Sequence, residues 1–219
     1  MSASQEFSFE KDSEELRDPR EFGFLVEPWY FNQGLADSPD VLARESVLKK
    51  LLVAKTKLRD GLNFKIWDGY RTLKTQTVLY LGLYKKIVRE RPLLAGARAL
   101  KKTEEFVMKP SFDLRKPSPH NTGAALDLTL VYPNGEEVDM GTAFDLFDKP
   151  SFTMHFRNAE EGTQEFEWHR NRMLLRSILT AEGFYNFPDE WWHFSYGDRL
   201  WAADCGKDAL YGSWELMGR

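Results

Sequence analysis

Two stretches of the chain hold residues whose types and spacing suit hydrolytic chemistry. One is Ser118-Pro119-His120-Asn121-Thr122-Gly123-Ala124-Ala125-Leu126-Asp127. The other is Phe187-Pro188-Asp189-Glu190-Trp191-Trp192-His193-Phe194-Ser195-Tyr196. Between them they offer two imidazoles, His120 and His193, and two carboxylates, Asp127 and Glu190. A hydrolytic zinc centre needs three N or O ligands, an open position for water, and one more carboxylate to take the water's proton. His120, Asp127 and His193 meet the first need, and Glu190 meets the last. An aspartate between Ala125-Leu126 and Leu128 is costly to bury without a positive partner, which favours a ligand role for Asp127. His155 and His169 are read as bystanders, one in an irregular segment and one on a helix.

The elements that must hold these residues follow from the pattern. Leu126, Leu128 and Leu130 alternate with Asp127, Thr129 and Val131, which predicts a strand from Ala124 to Tyr132 with Asp127 opposite the leucine face. Pro110, Pro117 and Pro119 make the approach to His120 a stiff loop. The aromatic stretch reads as the last strand. Glu190 and His193 are three apart, so in a regular strand they would face opposite sides. Both reach one metal only if Glu190 precedes the strand, and Pro188-Asp189 supplies the break.

The rest of the chain is read the same way. Residues 1–20 are polar and form an arm or a short edge element. Phe22 to Phe31 reads as a strand and a loop over the core. Ser38-Pro39 opens a helix carrying Val41, Leu48, Leu51, Leu52 and Leu58, and Gly61 stops it. Asn63 to Trp67 is a short strand leading into Asp68-Gly69-Tyr70-Arg71-Thr72, a turn from which Arg71 can project into a cleft. A guanidinium there can neutralise an oxyanion or a carboxylate. Helices are expected over Leu73–Arg89, closed by Pro92, and over Ala95–Val107. Asn134-Gly135 is a hairpin turn with Glu136 to Met140 returning beside it. Residues 141–162 are irregular. Phe166, Met173, Leu174, Ile178 and Ala181 mark another helix, stopped by Gly183. With no repeat and no linker, residues 1–219 read as a single α+β domain, a central, mostly antiparallel sheet flanked by helices.

Composition sets the outer bounds. The net charge of −4, with mixed signs, gives no electrostatic case for nucleic acid. A lone cysteine, Cys205, rules out an intrachain disulfide and a cysteine-rich zinc site. No apolar run approaches membrane-spanning length, and the first residues show neither a basic nor an apolar leader region. A cytoplasmic protein with no membrane partner is the expectation. No feature of the sequence specifies an oligomer.

Taken together, Ser118, His120, Gly123, Ala125 and Asp127 with Glu190-Trp191-Trp192-His193 resemble the motifs of the zinc D-alanyl-D-alanine dipeptidases. These belong to a wider group of D,D-carboxypeptidases and cell-wall endopeptidases related to the Hedgehog signalling domain. Trp67 to Arg71, Asp139 to Asp145, Arg170 to Leu175 and Glu182 to Phe184 are similar to further family segments in the same order. The resemblance implies one zinc ion (Zn2+) per chain, held by His120, Asp127 and His193. It implies Glu190 as general base and Arg71 as the residue that stabilises the tetrahedral intermediate. The substrate would be a small dipeptide, D-Ala-D-Ala, in vancomycin-type resistance or in recycling of wall D-alanine. Ser118 and the nearby acids are candidates to bind its ammonium group, with Trp29-Tyr30-Phe31 and Trp191-Trp192 as pocket walls. Two alternatives stand beside it: an enzyme cutting peptidoglycan stem peptides, and a zinc module without catalysis. The sequence departs from the family in placing Thr72 where proline usually follows the arginine.

Overall fold

A computed structural model describes residues 13–217 of the protein. The chain runs through β1 (Leu16–Arg17), β2 (Leu25–Val26), α1 (Trp29–Asn32), β3 (Ala43–Arg44), α2 (Glu45–Lys55) and β4 (Asn63–Asp68). It continues through α3 (Leu73–Glu90), α4 (Ala97–Glu104), β5 (Ala125–Val131), α5 (Gln164–Ala181), β6 (Tyr185–Asn186), β7 (His193–Ser195) and α6 (Arg199–Cys205). The architecture is α+β. Five strands form one sheet in the order β2-β4-β5-β7-β6, antiparallel except for the β2–β4 pair. The other two, β1 and β3, form a separate antiparallel ribbon.

The sheet is built around β5. All seven of its residues are buried, because it is the middle strand and is covered on both faces. Leu126, Leu128 and Leu130 join Phe64, Ile66, Leu48, Leu51, Leu175 and Leu179 in one apolar core. The period of two leaves Asp127 and Thr129 on the opposite face.

Several expectations meet the structure directly. The strand from Asn63, the helix from Leu73 and the last long helix form within a few residues of the expected bounds. Thr72 has a structural use of its own, since its hydroxyl accepts from the Thr75 amide and caps α3. Of the expected arm, residues 1–12 lie outside the described residues, and Leu16–Arg17 is a short edge strand.

Others are corrected. The first long helix does not begin at Ser38-Pro39: Ser38 turns back on Asp40, and α2 starts at Glu45. Ala43 and Arg44 are drawn into extended pairing with β1 and the Gly123 carbonyl, a tertiary demand that overrides the local cap signal. That helix ends at Lys55, and Gly61, at φ +71, belongs to the turn into β4. Phe22–Phe31 yields only the two residues of β2 and the single turn of α1. The third helix is shorter than Ala95–Val107, spanning Ala97–Glu104. After the Asn134-Gly135 turn the returning segment makes one bridge, Val131 to Glu137, and no strand.

Candidate metal centre and its cavity

The sheet register sets the site. Asp127 on β5 lies opposite His193 on β7 and opposite Asp68 on β4, so the three stand in a row across adjacent strands. Cross-strand neighbours on one face have side chains in reach of each other. The row depends on an irregularity. Ile66 pairs with Leu128, and the next pair is Asp68 with Asp127, so Trp67 is the extra residue of a bulge. Regular pairing would set Trp67 beside Asp127; the bulge puts a carboxylate there instead. Trp67 stacks on Phe144, ring centroids 4.5 Å apart.

His120 arrives from a tight turn, His120–Thr122, at the head of β5. Gly123 ends the turn at φ +72, a conformation that favours glycine, and a Cβ there would push into Leu16 Cδ2 at 2.4 Å. Arg44, fully buried, donates from Nε to the Thr122 carbonyl at 2.8 Å and stacks on Tyr211 and Trp214. The ring of His120 is oriented by its own donor: Nδ1–H points to the Gly69 carbonyl at 2.8 Å. A carbonyl can only accept, so Nδ1 carries the proton and Nε2 presents a lone pair.

Three residues converge at this point, with one ligand atom from each within 4.8 Å of the others. His120 Nε2 is 3.1 Å from His193 Nδ1 and 3.4 Å from Asp127 Oδ2, and His193 Nδ1 is 3.0 Å from Asp127 Oδ1. Ligands about 2.0–2.1 Å from a tetrahedral metal stand about 3.3 Å apart, close to the 3.1 Å between the two imidazole nitrogens, and each imidazole has one Asp127 oxygen at 3.0 or 3.4 Å. The nitrogen and carboxylate donor set suits zinc as well. All three residues are buried. Burial works to raise the Asp127 pKa, but the two imidazoles outweigh it and hold the carboxyl well below its usual range.

Glu190 lies in the turn before β7, as the parity argument requires, with Oε2 3.8 Å from His193 Nδ1. Burial, then the negative charges of Asp127 and Asp145, push its pKa well above the ordinary glutamate value. Arg71 is buried and pinned. Asp68 accepts from its Nε at 3.0 Å and from Nη2 at 2.6 Å, Gln76 Oε1 accepts from Nη1 at 2.9 Å, and the guanidinium stacks on Tyr30 at 4.9 Å. Burial opposes its charge, but Asp68, Tyr30 and Asp127 more than offset that, so its pKa is raised. Ser118 lines the cavity, but its hydroxyl donates to Asn121 Oδ1 at 2.7 Å.

These groups share one cavity of about 360 Å³. Tyr30 and Trp192 contribute to its wall, whereas Trp29, Phe31 and Trp191 do not. His155 stacks edge-on against Phe156 and His169 rides on α5; neither lines it. Three lining or supporting residues escaped the sequence reading: Asp68, Gln76 and Asp145. Asp145 comes from the irregular segment, which the buried guanidinium of Arg172 ties down through the Met140, Pro150 and Phe152 carbonyls.

Asp145 has a testable electrostatic consequence. It takes a hydrogen bond from the Tyr30 hydroxyl at 3.0 Å, and burial pushes its pKa up to about 7. An unfolded aspartate titrates near ~3.9, so the native state holds the proton more tightly. Its contribution to stability is full below about pH 4 and is lost as the pH rises to about 7. Asp145 also sits at φ +63, a conformation asparagine tolerates. Metal-free Asp145→Asn protein should therefore melt several degrees higher than wild type at pH 8 and about equally at pH 4. A lower melting temperature at pH 8 would refute this electrostatic account.

Comparison with known proteins gives one consistent family. A family model described as D-Ala-D-Ala dipeptidase, peptidase family M15, matches residues 32–208. A D-alanyl-D-alanine dipeptidase of Synechocystis sp. is 34% identical over 197 residues, covering 80% of this chain and 79% of that protein. Another from Enterococcus faecium is 30% identical over 167 residues, covering 70% of each. Among solved structures, a vancomycin-resistance D,D-pentapeptidase in complex with Zn(II) aligns with a TM-score of 0.47 at 15% identity, over 95% of this chain and 92% of that one.

Proposed function

The chain belongs to the D-Ala-D-Ala dipeptidase family of metallopeptidases, and from that premise we propose that it hydrolyses free D-Ala-D-Ala to D-alanine at the His120, Asp127 and His193 centre. The observation that carries the reading is the convergence of those three residues, one ligand atom from each within 4.8 Å of the others, in a cavity shared with Glu190 and Arg71. The three residues would hold one zinc ion. When bound, zinc supplies Lewis acidity, polarising the scissile carbonyl and acidifying water.

The chain's own groups do the rest. Glu190 takes the proton from the attacking water and passes it to the leaving amine. It is outside the ligand set and overhangs it, which suits a proton carrier. Arg71 pairs with the oxygen that becomes negative. Three of its five N–H groups are held by Asp68 and Gln76, which fixes the plane of the guanidinium and leaves donors for the substrate. Asp145 takes the ammonium end of the dipeptide. Among the described residues no helix is long and apolar enough to cross a membrane, and a small dipeptide is the only partner proposed.

The test is D-alanine release from D-Ala-D-Ala by zinc-loaded protein, with L-Ala-L-Ala and a stem pentapeptide beside it. Release should stop with a chelator and return with zinc. Alanine at His120, Asp127 or His193 should each remove most of the bound zinc from an initial stoichiometry of about one per chain. Alanine at His155 or His169 should leave it in place. Full zinc occupancy in His193→Ala would take His193 out of the centre.

A further inference from the structure

The two imidazoles of the centre differ on their outer sides. His120 presents Nε2 to the centre, and its Nδ1–H is taken by the Gly69 carbonyl. His193 presents Nδ1, which faces His120 and Asp127. A neutral imidazole that gives Nδ1 to a metal carries its proton on Nε2. In His193 that nitrogen is buried and has no hydrogen-bond partner among the described residues. A buried N–H left unpaired is costly, and most find an acceptor. Two more buried polar atoms without a partner follow within five residues, Ser195 Oγ and Asp198 Oδ2.

The fold brings these atoms together. Ser195 is two residues after His193 on β7, so the two side chains share a face of the strand. Gly197, at φ +87, then turns the chain, and Asp198 opens α6. Both Ser195 and Asp198 are fully buried. Half of the Asp198 carboxylate is in use, since Oδ1 accepts from the Trp201 amide at 2.8 Å and caps the helix. That use does not account for an aspartate, because asparagine or serine caps as well without burying a charge. Arg199, next in the chain, is turned to the Pro117 carbonyl. Burial raises the Asp198 pKa, and the Trp201 amide, the Ser195 hydroxyl and His193 work against that rise, so both neighbours act on this carboxylate. The three unpaired atoms are also complementary. Nε2–H only donates, Oδ2 only accepts, and a hydroxyl does both. A line from Nε2–H to Ser195 Oγ, and from its O–H to Asp198 Oδ2, leaves none of them over.

Resting on the reading of His120, Asp127 and His193 as a zinc centre, we infer that His193, Ser195 and Asp198 form one hydrogen-bonded relay, direct or through one buried water, and that Asp198 is a positioning residue for the centre. The relay keeps the proton on Nε2, holds the ring with Nδ1 toward the centre, and makes the imidazole a stronger ligand. Asp198 touches neither the substrate nor the reacting atoms and acts only through His193.

The experiment measures zinc affinity, by competition with a chromophoric chelator, in the full-length wild type, Asp198→Asn, Ser195→Ala and the double variant. Asparagine keeps the oxygen that caps α6 and puts an N–H2 donor where the relay needs an acceptor. Each single variant should weaken zinc binding by about tenfold or more. The double variant should be within about threefold of the weaker single one, because members of one relay are lost together. A second readout follows the Nε2 proton itself, by NMR of zinc-loaded protein labelled with 15N-histidine. In wild type the His193 Nε2–H should exchange with solvent about tenfold or more slowly than in either single variant. A purely structural role at the head of α6 would move neither the non-additivity nor this proton. Zinc affinity in Asp198→Asn within about threefold of wild type overturns the relay and leaves the centre standing, and so do losses that multiply in the double variant. Should Asp198→Asn fail to fold, the affinity and proton exchange of Ser195→Ala decide alone, and wild-type values for both overturn the relay. Wild-type protein that binds no zinc takes down the centre, and the relay with it.

Discussion

Glu190→Gln should lower kcat by at least ~10²-fold while zinc stays bound at the wild-type stoichiometry. The separation of the two effects is the point. Glu190 is not one of the three converging donors, and glutamine keeps its shape, so the metal centre has no reason to change. What is lost is, among the described residues, the carboxylate beside the centre with no hydrogen-bond or ligand commitment of its own to break. Asp127 is held between the two imidazoles, and Asp68 is committed to Arg71. Asp145 is bound to the Tyr30 hydroxyl. Burial raises the Glu190 pKa, which makes the carboxylate a stronger base than an exposed glutamate once it is ionised. Arg71→Ala should behave differently, with zinc retained and kcat reduced more than KM is raised, if the guanidinium acts mainly on the transition state. A near-normal kcat in Glu190→Gln would pass the proton to another group and undo this division of roles.

The parts of the site that were legible share a property: their spacing along the chain does the placing. Asp127 follows from strand alternation, and Glu190 from the break at Pro188-Asp189 that lets it and His193 face one point. Long helices with a clean apolar stripe, such as α3 and α5, were legible for the same reason. What escaped depends on contacts between distant segments. Asp68 reaches Asp127 only because Trp67 bulges out, and no local pattern announces a bulge. Asp145 sits at positive φ in a segment without periodicity, organised by Arg172 some thirty residues away. The Ser38 cap signal was genuine as local chemistry, but Ala43 and Arg44 have a stronger use in pairing with β1 and clamping the His120 turn. The aromatic runs were only half informative as walls. Tyr30 and Trp192 face the cavity and their neighbours do not, because adjacent residues point to different sides.

Blocking the amino group of the substrate should have a still larger effect: N-acetyl-D-Ala-D-Ala is expected to be cut ~10⁴-fold more slowly in kcat/KM than the free dipeptide. Near the metal centre four carboxylates, from Asp68, Asp127, Asp145 and Glu190, act around the guanidinium of Arg71, and Lys86, Glu104 and Glu105 also line the cavity. Arg71 is taken by Asp68, and zinc would take Asp127. Asp145 remains, partnered by the neutral Tyr30 hydroxyl and raised by burial to a pKa of about 7. A free dipeptide brings an ammonium that pairs with this carboxylate and favours its ionised form. The acetylated dipeptide brings no positive charge, leaves the buried carboxylate unsatisfied, and adds bulk at the same end. Two controls tie the discrimination to Asp145. Asp145→Asn should cut the ratio between the free and acetylated dipeptides severely, chiefly by weakening the free one. Below about pH 7, where Asp145 holds its proton, the wild-type ratio should shrink in the same direction. The stem pentapeptide, acylated at the same position, should follow the acetylated dipeptide. Should either blocked substrate come within about tenfold of D-Ala-D-Ala, a difference of only ~1.4 kcal/mol, recognition of the free amino group would fail as an account of the pocket, and an enzyme of wall stem peptides would fit it better.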